Sequence, residues 1–162
     1  MTKIEQFQKM IDNSKNIVFF GGAGVSTASG IPDFRSATGL YSQNDKHKYP
    51  PEVMLSHTFY QNHTKEFFEF YKNEMCALGY EPCETHKKIA ELEKAGKVKT
   101  VITQNIDGLH QKAGSKNVIE LHGTIHKNKC IMCGKEFSAE YVKNSKGVPT
   151  CDECNCKEAI VK

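Results

Sequence analysis

A short apolar run, Asn16-Ile17-Val18-Phe19-Phe20, opens directly onto Gly21-Gly22-Ala23-Gly24. An unbroken stretch of β-branched and aromatic residues stopped by glycines predicts a buried strand of a parallel sheet. Glycines at the end of such a strand let backbone N–H groups approach an anionic ligand closely, and a helix starting there would add its dipole. This juncture confines the chain to the α/β class. Thr2-x-x-Glu5 forms a capping box ahead of Ile4, Phe7 and Ile11, predicting a helix over 2–14. Further helices are predicted over 64–75, where Phe67, Phe68, Tyr71 and Met75 share one side, and over 85–95, closed by Gly96. Strands over 97–103 and 117–121 flank a short helix at 109–113. The alternation is that of an open parallel sheet, for which three strands are few. Residues 36–63, polar and irregular with Pro50-Pro51, read as a long functional loop or lid.

Composition closes off other classes. With 162 residues the chain holds one domain or one and a fraction. At 38% hydrophobic and 25% charged residues it is neither disordered nor fibrous. No apolar run approaches the ~20 residues of a membrane span, and the polar N-terminus has no signal-peptide core. The chain reads as soluble and cytoplasmic. A net charge of +3 is too small to argue for nucleic acid by itself. Among 22 basic residues only Arg35 is an arginine, which marks a position where a two-pronged guanidinium has a use.

Seven cysteines are present, four of them in two doublets, Cys130-x-x-Cys133 and Cys151-x-x-Cys154. Without a secretory signal, this spacing matches a tetrahedral structural zinc site rather than disulfides. Cys156 competes as a ligand, and Cys76 and Cys83 read as ordinary thiols. Residues 127–157 are therefore expected to fold around metal, before an apolar end at Ala159-Ile160-Val161.

Three strand ends carry chemistry. Gly21-Gly22-Ala23-Gly24-Val25-Ser26-Thr27 suits a pyrophosphate, although the dinucleotide fingerprint would place glycine at 27 and an acidic residue about 20 positions on. Gly24-x-Ser26-x-Ala28 also resembles a nucleophile elbow. Downstream, Pro32 stiffens a loop in which Phe34 stands between Asp33 and Arg35, able to shield a reactive ring from water. Gln104-Asn105-Ile106-Asp107-Gly108 and His122-Gly123 follow the next two strands, where ligands of open parallel sheets gather. His122 has the chemistry of a general base near neutral pH. Each feature also has a plainer reading as a structural turn, an anchored loop or a structural histidine.

Taken together, Gly22-Ala23-Gly24-Val25-Ser26-Thr27-Ala28-Ser29-Gly30-Ile31-Pro32-Asp33-Phe34-Arg35-Ser36, Thr103-Gln104-Asn105-Ile106-Asp107-Gly108-Leu109-His110, Leu121-His122-Gly123 and the cysteine doublets resemble the sirtuins, the NAD-dependent protein lysine deacylases. The resemblance implies a Rossmann-like parallel sheet, incomplete here, over 1–126, with a helical and loop insertion at about 36–80 and a small zinc module over 127–162. It implies that Gly22, Ala23, Gly24, Ser26 and Thr27 line the NAD pyrophosphate and ribose. Asp33, Phe34 and Arg35 would belong to the cofactor loop. Gln104 and Asn105 would lie near the nicotinamide ribose, and Ile106 and Asp107 would hold the carboxamide. His122 would be the catalytic base, and Cys130, Cys133, Cys151 and Cys154 would bind structural zinc.

The implied reaction transfers the acyl group of an acyl-lysine protein or peptide to ADP-ribose and releases nicotinamide, with no membrane or specific nucleic acid involved. Sirtuins that remove succinyl or malonyl groups carry a Tyr-x-x-Arg pair where this chain has Phe68 and Tyr71, so acetyl or another neutral acyl group is expected. Sirtuins continue beyond the second doublet, so residues 1–162 alone are expected to bind NAD poorly and to deacylate negligibly. Two other classes compete: a zinc-ribbon module contacting nucleic acid through its lysines, and a serine hydrolase using Ser26.

Overall fold

Parallel pairing of the three predicted strands sets the frame. A computed structural model describes residues 1–42, 46–158 and 160–161. In it β1 (Ile17–Gly21), β2 (Val98–Thr103) and β3 (Val118–Glu120) form one parallel sheet in that order. Ile17 and Phe19 of β1 join Val98, Val101 and Val118 against Ile89 and Leu92 of helix α5 (Glu84–Lys94). Val18 and Phe20 alternate to the other face, where they are 58% and 59% exposed. The expectation of a strand buried on both sides is therefore corrected: among the described residues β1 lies at the edge of the sheet, and its second apolar face meets no helix.

Helix α1 (Lys3–Asn13) begins at the predicted capping box, with Thr2 N donating to Glu5 Oε2 at 2.8 Å and Glu5 N to Thr2 Oγ1 at 3.2 Å. Lys97 Nζ donates to the terminal carbonyls of Ile11 and Asp12, offsetting the negative end of the helix. After β1 the chain makes only two 3₁₀ turns, Ala23–Val25 and Thr27–Ser29. No helix follows the glycines, so the expected dipole is absent; Gly30, at φ +93°, breaks the run.

Residues 36–63 also depart from expectation. Within 36–42 and 46–63 lie a 3₁₀ turn (Leu40–Ser42) and helices α2 (Pro51–Met54) and α3 (His57–Asn62), the last capped by the Ser56 hydroxyl. Gln43, Asn44 and Asp45 of the expected lid fall outside the described residues. Leu40, Met54, Phe59 and Phe70 form a core of their own, each contributing roughly 1.5–3 kcal/mol by burial. Each short element supplies only one or two of these side chains, which leaves no periodicity to read. Helix α4 (Thr64–Phe70) ends in a π turn (Tyr71–Met75), closed by Cys76 N donating to Tyr71 O at 2.9 Å.

Helix α6 (Leu109–Lys112) links β2 to β3. Beyond them, β4 (Asn128–Cys130) pairs antiparallel with β5 (Glu136–Phe137) and β6 (Ile160–Val161). Helix α7 (Ala139–Asn144) packs beside them. Residues 127–157 hold more than a metal framework: Phe137, Ala139 and Val142 join Ile125, Ile160 and the α4 residue Phe68 in one apolar core. Ala159 lies outside the described residues, as does Lys162. Among the described residues no helix is long and apolar enough to cross a membrane.

Candidate functional site

Register brings three strand tips to one rim, because Gly21 pairs with Thr103 and Thr103 with Glu120. The segments that follow are fastened to one another. Gln104 N donates to Gly21 O at 3.0 Å, and Leu121 N donates to Thr103 O at 2.9 Å. A Cβ on Gly22 would stand 3.4 Å from Gln104 Oε1, so the glycine loop and the β2 loop are immediate neighbours. The first 3₁₀ turn leaves the N–H groups of Ala23 and Gly24 without partners inside it. A Cβ on Gly24 would meet nothing within 4 Å, so that stretch of backbone faces open space.

Behind the rim lies a buried polar knot. Ser26, 1% exposed, donates to Asp107 Oδ2 at 2.6 Å and accepts from Asn105 Nδ2 at 3.0 Å. Asn105 N donates to Thr103 Oγ1, and Leu109 N donates to Asp107 Oδ1. Gly108 sits at φ +71°, and a Cβ there would fall 2.8 Å from the His126 ring, whose Nε2 donates to Asp107 O at 3.0 Å. Ser26 is thus enclosed between an acid and an amide, with no imidazole on its hydroxyl. That arrangement does not make a serine nucleophile.

His122 stands exposed at the rim, its Nδ1 2.9 Å from Gln104 O. A carbonyl only accepts, so Nδ1 carries the ring proton and Nε2 keeps a lone pair free to take another. Thr27 is exposed, its hydroxyl given to Gly24 O at 2.9 Å. Asp33 binds Ser36 N through Oδ1 at 3.1 Å, turning the loop so that the tilted rings of Phe34 and Tyr41 meet at a centroid distance of 5.3 Å, with Arg35 over the Tyr41 ring. Gly39 permits this: a Cβ there would lie 2.7 Å from both Asp33 Oδ1 and the Phe34 carbonyl carbon. Phe34 packs onto the Leu40 core and Arg35 is exposed. Half-buried Ile106 is fixed by Ile125 N donating to its carbonyl at 3.0 Å.

Ile106 also lines a cavity of about 460 Å³ with Tyr60, Phe67, Phe68, Tyr71 and Met75, bounded on the far side by Asn128 and Ile160. Tyr60 and Asn128 escaped sequence reading. The helical spacing of Phe67, Phe68, Tyr71 and Met75 was legible, but an apolar helix face does not reveal whether it meets a core or a void.

The four doublet cysteines hold their sulfur atoms within 4.8 Å of one another, with Cys130–Cys154 and Cys133–Cys151 at 3.6 Å. Four thiolates at Zn–S distances of about 2.3 Å around a tetrahedral ion would stand roughly 3.8 Å apart, so the set fits zinc. Cys156 turns its sulfur to Cys154 O at 3.6 Å and lies outside the cluster.

The Sir2 family profile matches residues 22–162. The chain is 56% identical over 155 residues to an NAD-dependent protein deacetylase of Clostridium acetobutylicum, covering 95% of this chain and 63% of that protein. It is 50% identical over 152 residues to another of Clostridium perfringens, covering 94% and 62%. A solved Sir2–p53 peptide–NAD⁺ structure superposes with a TM-score of 0.80 at 41% identity, covering 99% of this chain and 62% of that one. The chain therefore spans somewhat over three fifths of these relatives. Across that span, the glycine loop, the two further strand tips and the four-sulfur cluster fall in one continuous match, and the chain belongs to the Sir2 family.

Proposed function

We propose that the protein containing this chain is an NAD-dependent protein lysine deacetylase, transferring the acyl group of an acyl-lysine protein or peptide to ADP-ribose. The convergence of Gly22–Gly24, Gln104–Asp107 and His122 on one rim carries the reading, and likeness to deacetylases and to a peptide–NAD⁺ complex supports it. In it, the N–H groups of Ala23 and Gly24 take the pyrophosphate, with Thr27, Asp33 and Arg35 around them. Phe34 covers the nicotinamide side against water, and Gln104, Asn105, Ile106 and Asp107 hold the ribose and carboxamide. NAD supplies an activated ribose carbon that the acyl oxygen attacks. Aligning that weak nucleophile is the task of the surrounding walls. His122 Nε2 takes the proton of a ribose hydroxyl, while Gln104 O steadies the imidazolium through Nδ1–H. Cys130, Cys133, Cys151 and Cys154 hold structural zinc away from this chemistry.

The aromatic cavity suits a neutral acyl chain: Phe68 and Tyr71 are buried, and the single arginine of the sequence is Arg35, on another loop. A free carboxylate placed there would be desolvated with no arginine to pair it. A cytoplasmic location agrees with a cluster of reduced thiols, which oxidising compartments do not sustain. The test is NAD-dependent nicotinamide release from an acetyl-lysine peptide by the protein that contains this chain. Loss of release in His122→Ala with zinc content retained is the expected result, and faster removal of succinyl than of acetyl would refute the acyl preference.

A further inference from the structure

Asp107 is fastened on both its side chain and its backbone. The carboxylate accepts from Ser26 Oγ through Oδ2 and from Leu109 N through Oδ1. On the backbone, Ile125 N donates to Ile106 O at 3.0 Å, and His126 Nε2 lies 3.0 Å from Asp107 O. A carbonyl only accepts, so Nε2 carries a proton in that contact. Peptide units are planar and trans, with C=O and N–H opposed. The two bonds therefore fix consecutive peptide planes and turn the N–H groups of Asp107 and Gly108 away from residues 125 and 126. Any residue but proline would supply the bond from position 125, whereas the bond from position 126 needs its imidazole. That imidazole has a firm base. Ile125 is fully buried in the core it shares with the cluster cysteines Cys130 and Cys151, and Asn128 Nδ2 donates to Ile125 O at 2.8 Å. Gly108 leaves the ring its room, since a Cβ there would stand 2.8 Å from both Cδ2 and Nε2 of His126.

We propose that His126 is a positioning residue for the carboxamide subsite: by holding the plane between Asp107 and Gly108, it sets the backbone that receives the nicotinamide group of NAD. The inference rests on the function proposed above, in which Ile106 and Asp107 hold the carboxamide. His126 is not a second base, because its Nε2–H is taken up by Asp107 O, whereas His122 keeps Nε2 free. Without the donor at 126 the second plane can rock, while Ile125 N still holds the first and the Ser26 hydroxyl still holds the carboxylate. The loss therefore falls on capture of nicotinamide. The acyl chain, seated against the side chain of Ile106 in the aromatic cavity, keeps its walls.

The test uses the zinc-loaded protein that contains this chain, with NAD and an acetyl-lysine peptide. Nicotinamide is a product of the proposed reaction, so added nicotinamide should inhibit by returning to its subsite. His126→Phe keeps a ring and removes the donor. Its half-inhibiting nicotinamide concentration should rise roughly tenfold, with zinc retained and KM for the peptide unchanged. His126→Gln, whose side-chain amide can donate to the same carbonyl, should lie within about twofold of the parent. Backbone hydrogen exchange over 106–109 should quicken in the phenylalanine variant and recover in the glutamine variant. Unchanged nicotinamide sensitivity in His126→Phe, or a glutamine variant as impaired as the phenylalanine one, would overturn the positioning role. A proportional rise in peptide KM would also overturn it, since general loosening of the site would then account for the effect. A parent that releases no nicotinamide would instead overturn the proposed function, and the subsite with it, whatever the exchange pattern.

Discussion

Ser26 and Asp107, 81 residues apart in sequence, meet in a 2.6 Å hydrogen bond that closes the glycine loop onto the loop after β2. Both are almost wholly buried, and Asn105 completes the contact from the other side. A short bond from a hydroxyl to a carboxylate in such surroundings is a strong one. Rigidity of the rim rests on it.

Ser26→Ala strips a partner from Asp107 Oδ2 and from Asn105 Nδ2 in one step. Leaving buried polar groups unsatisfied costs about 1–3 kcal/mol. Urea unfolding should show that loss as a lower midpoint with an unchanged slope. A fluorophosphonate should leave Ser26 unlabelled in the parent protein, since the hydroxyl has no basic partner and little access.

His122→Ala is expected to abolish nicotinamide release in the protein that contains this chain, while stability changes by less than about 0.5 kcal/mol, because the ring is exposed and makes a single bond to Gln104 O. His122→Gln can still donate to that carbonyl yet cannot take a proton near neutral pH. It should fail in turnover as completely as the alanine variant. Turnover retained by His122→Gln would remove the general-base role.

The strand tips were legible because glycine, amide and histidine motifs each follow an apolar β-branched run, and parallel register puts such tips on one rim. The cysteine doublets were legible by spacing. The core around Leu40 was hidden, since its members come from separate short elements in a polar stretch. The inward turn of Ser26 was hidden for a different reason: its partner lies 81 positions away, and nothing local distinguishes a hydroxyl aimed at a ligand from one aimed at Asp107. Exposure of Val18 and Phe20 contradicts the apolar run because a run of that kind cannot report how many faces of its sheet are covered.

Chelation should reach beyond the metal site. Cys130 and Cys151 are buried in the same core as Phe68 and Tyr71, so losing the ion loosens a wall of the aromatic cavity as well as the β4–β5 turn. Hydrogen exchange after zinc removal should accelerate in α4 and α7 together and leave β1–β3 protected. Cys151→Ala is expected to bind no zinc, and Cys156→Ala to retain a full equivalent by atomic absorption.

Acid sensitivity should trace in part to His110. The ring is 1% exposed, touches Phe19 and His86 at centroid distances of 5.6 and 4.7 Å, and has neither nitrogen partnered. Burial, then the neighbouring His86, lower its pKa from 6.5 to about 4, against the pull of Asp107. The folded state therefore prefers the neutral ring, and its contribution is fully present above the unfolded value. It drains away as pH falls from about 6.5 towards 4, where the folded ring also binds a proton, for a loss of up to about 3 kcal/mol. Zinc thiolates also take up protons in that window, so the parent and a His110→Leu variant should be compared in urea at pH 7 and pH 5. Leucine leaves no orphaned nitrogens and cannot titrate. The variant is expected to match the parent's stability at pH 7 within about 1 kcal/mol and to lose less on acidification. Equal losses in the two proteins would assign the whole acid response to other groups.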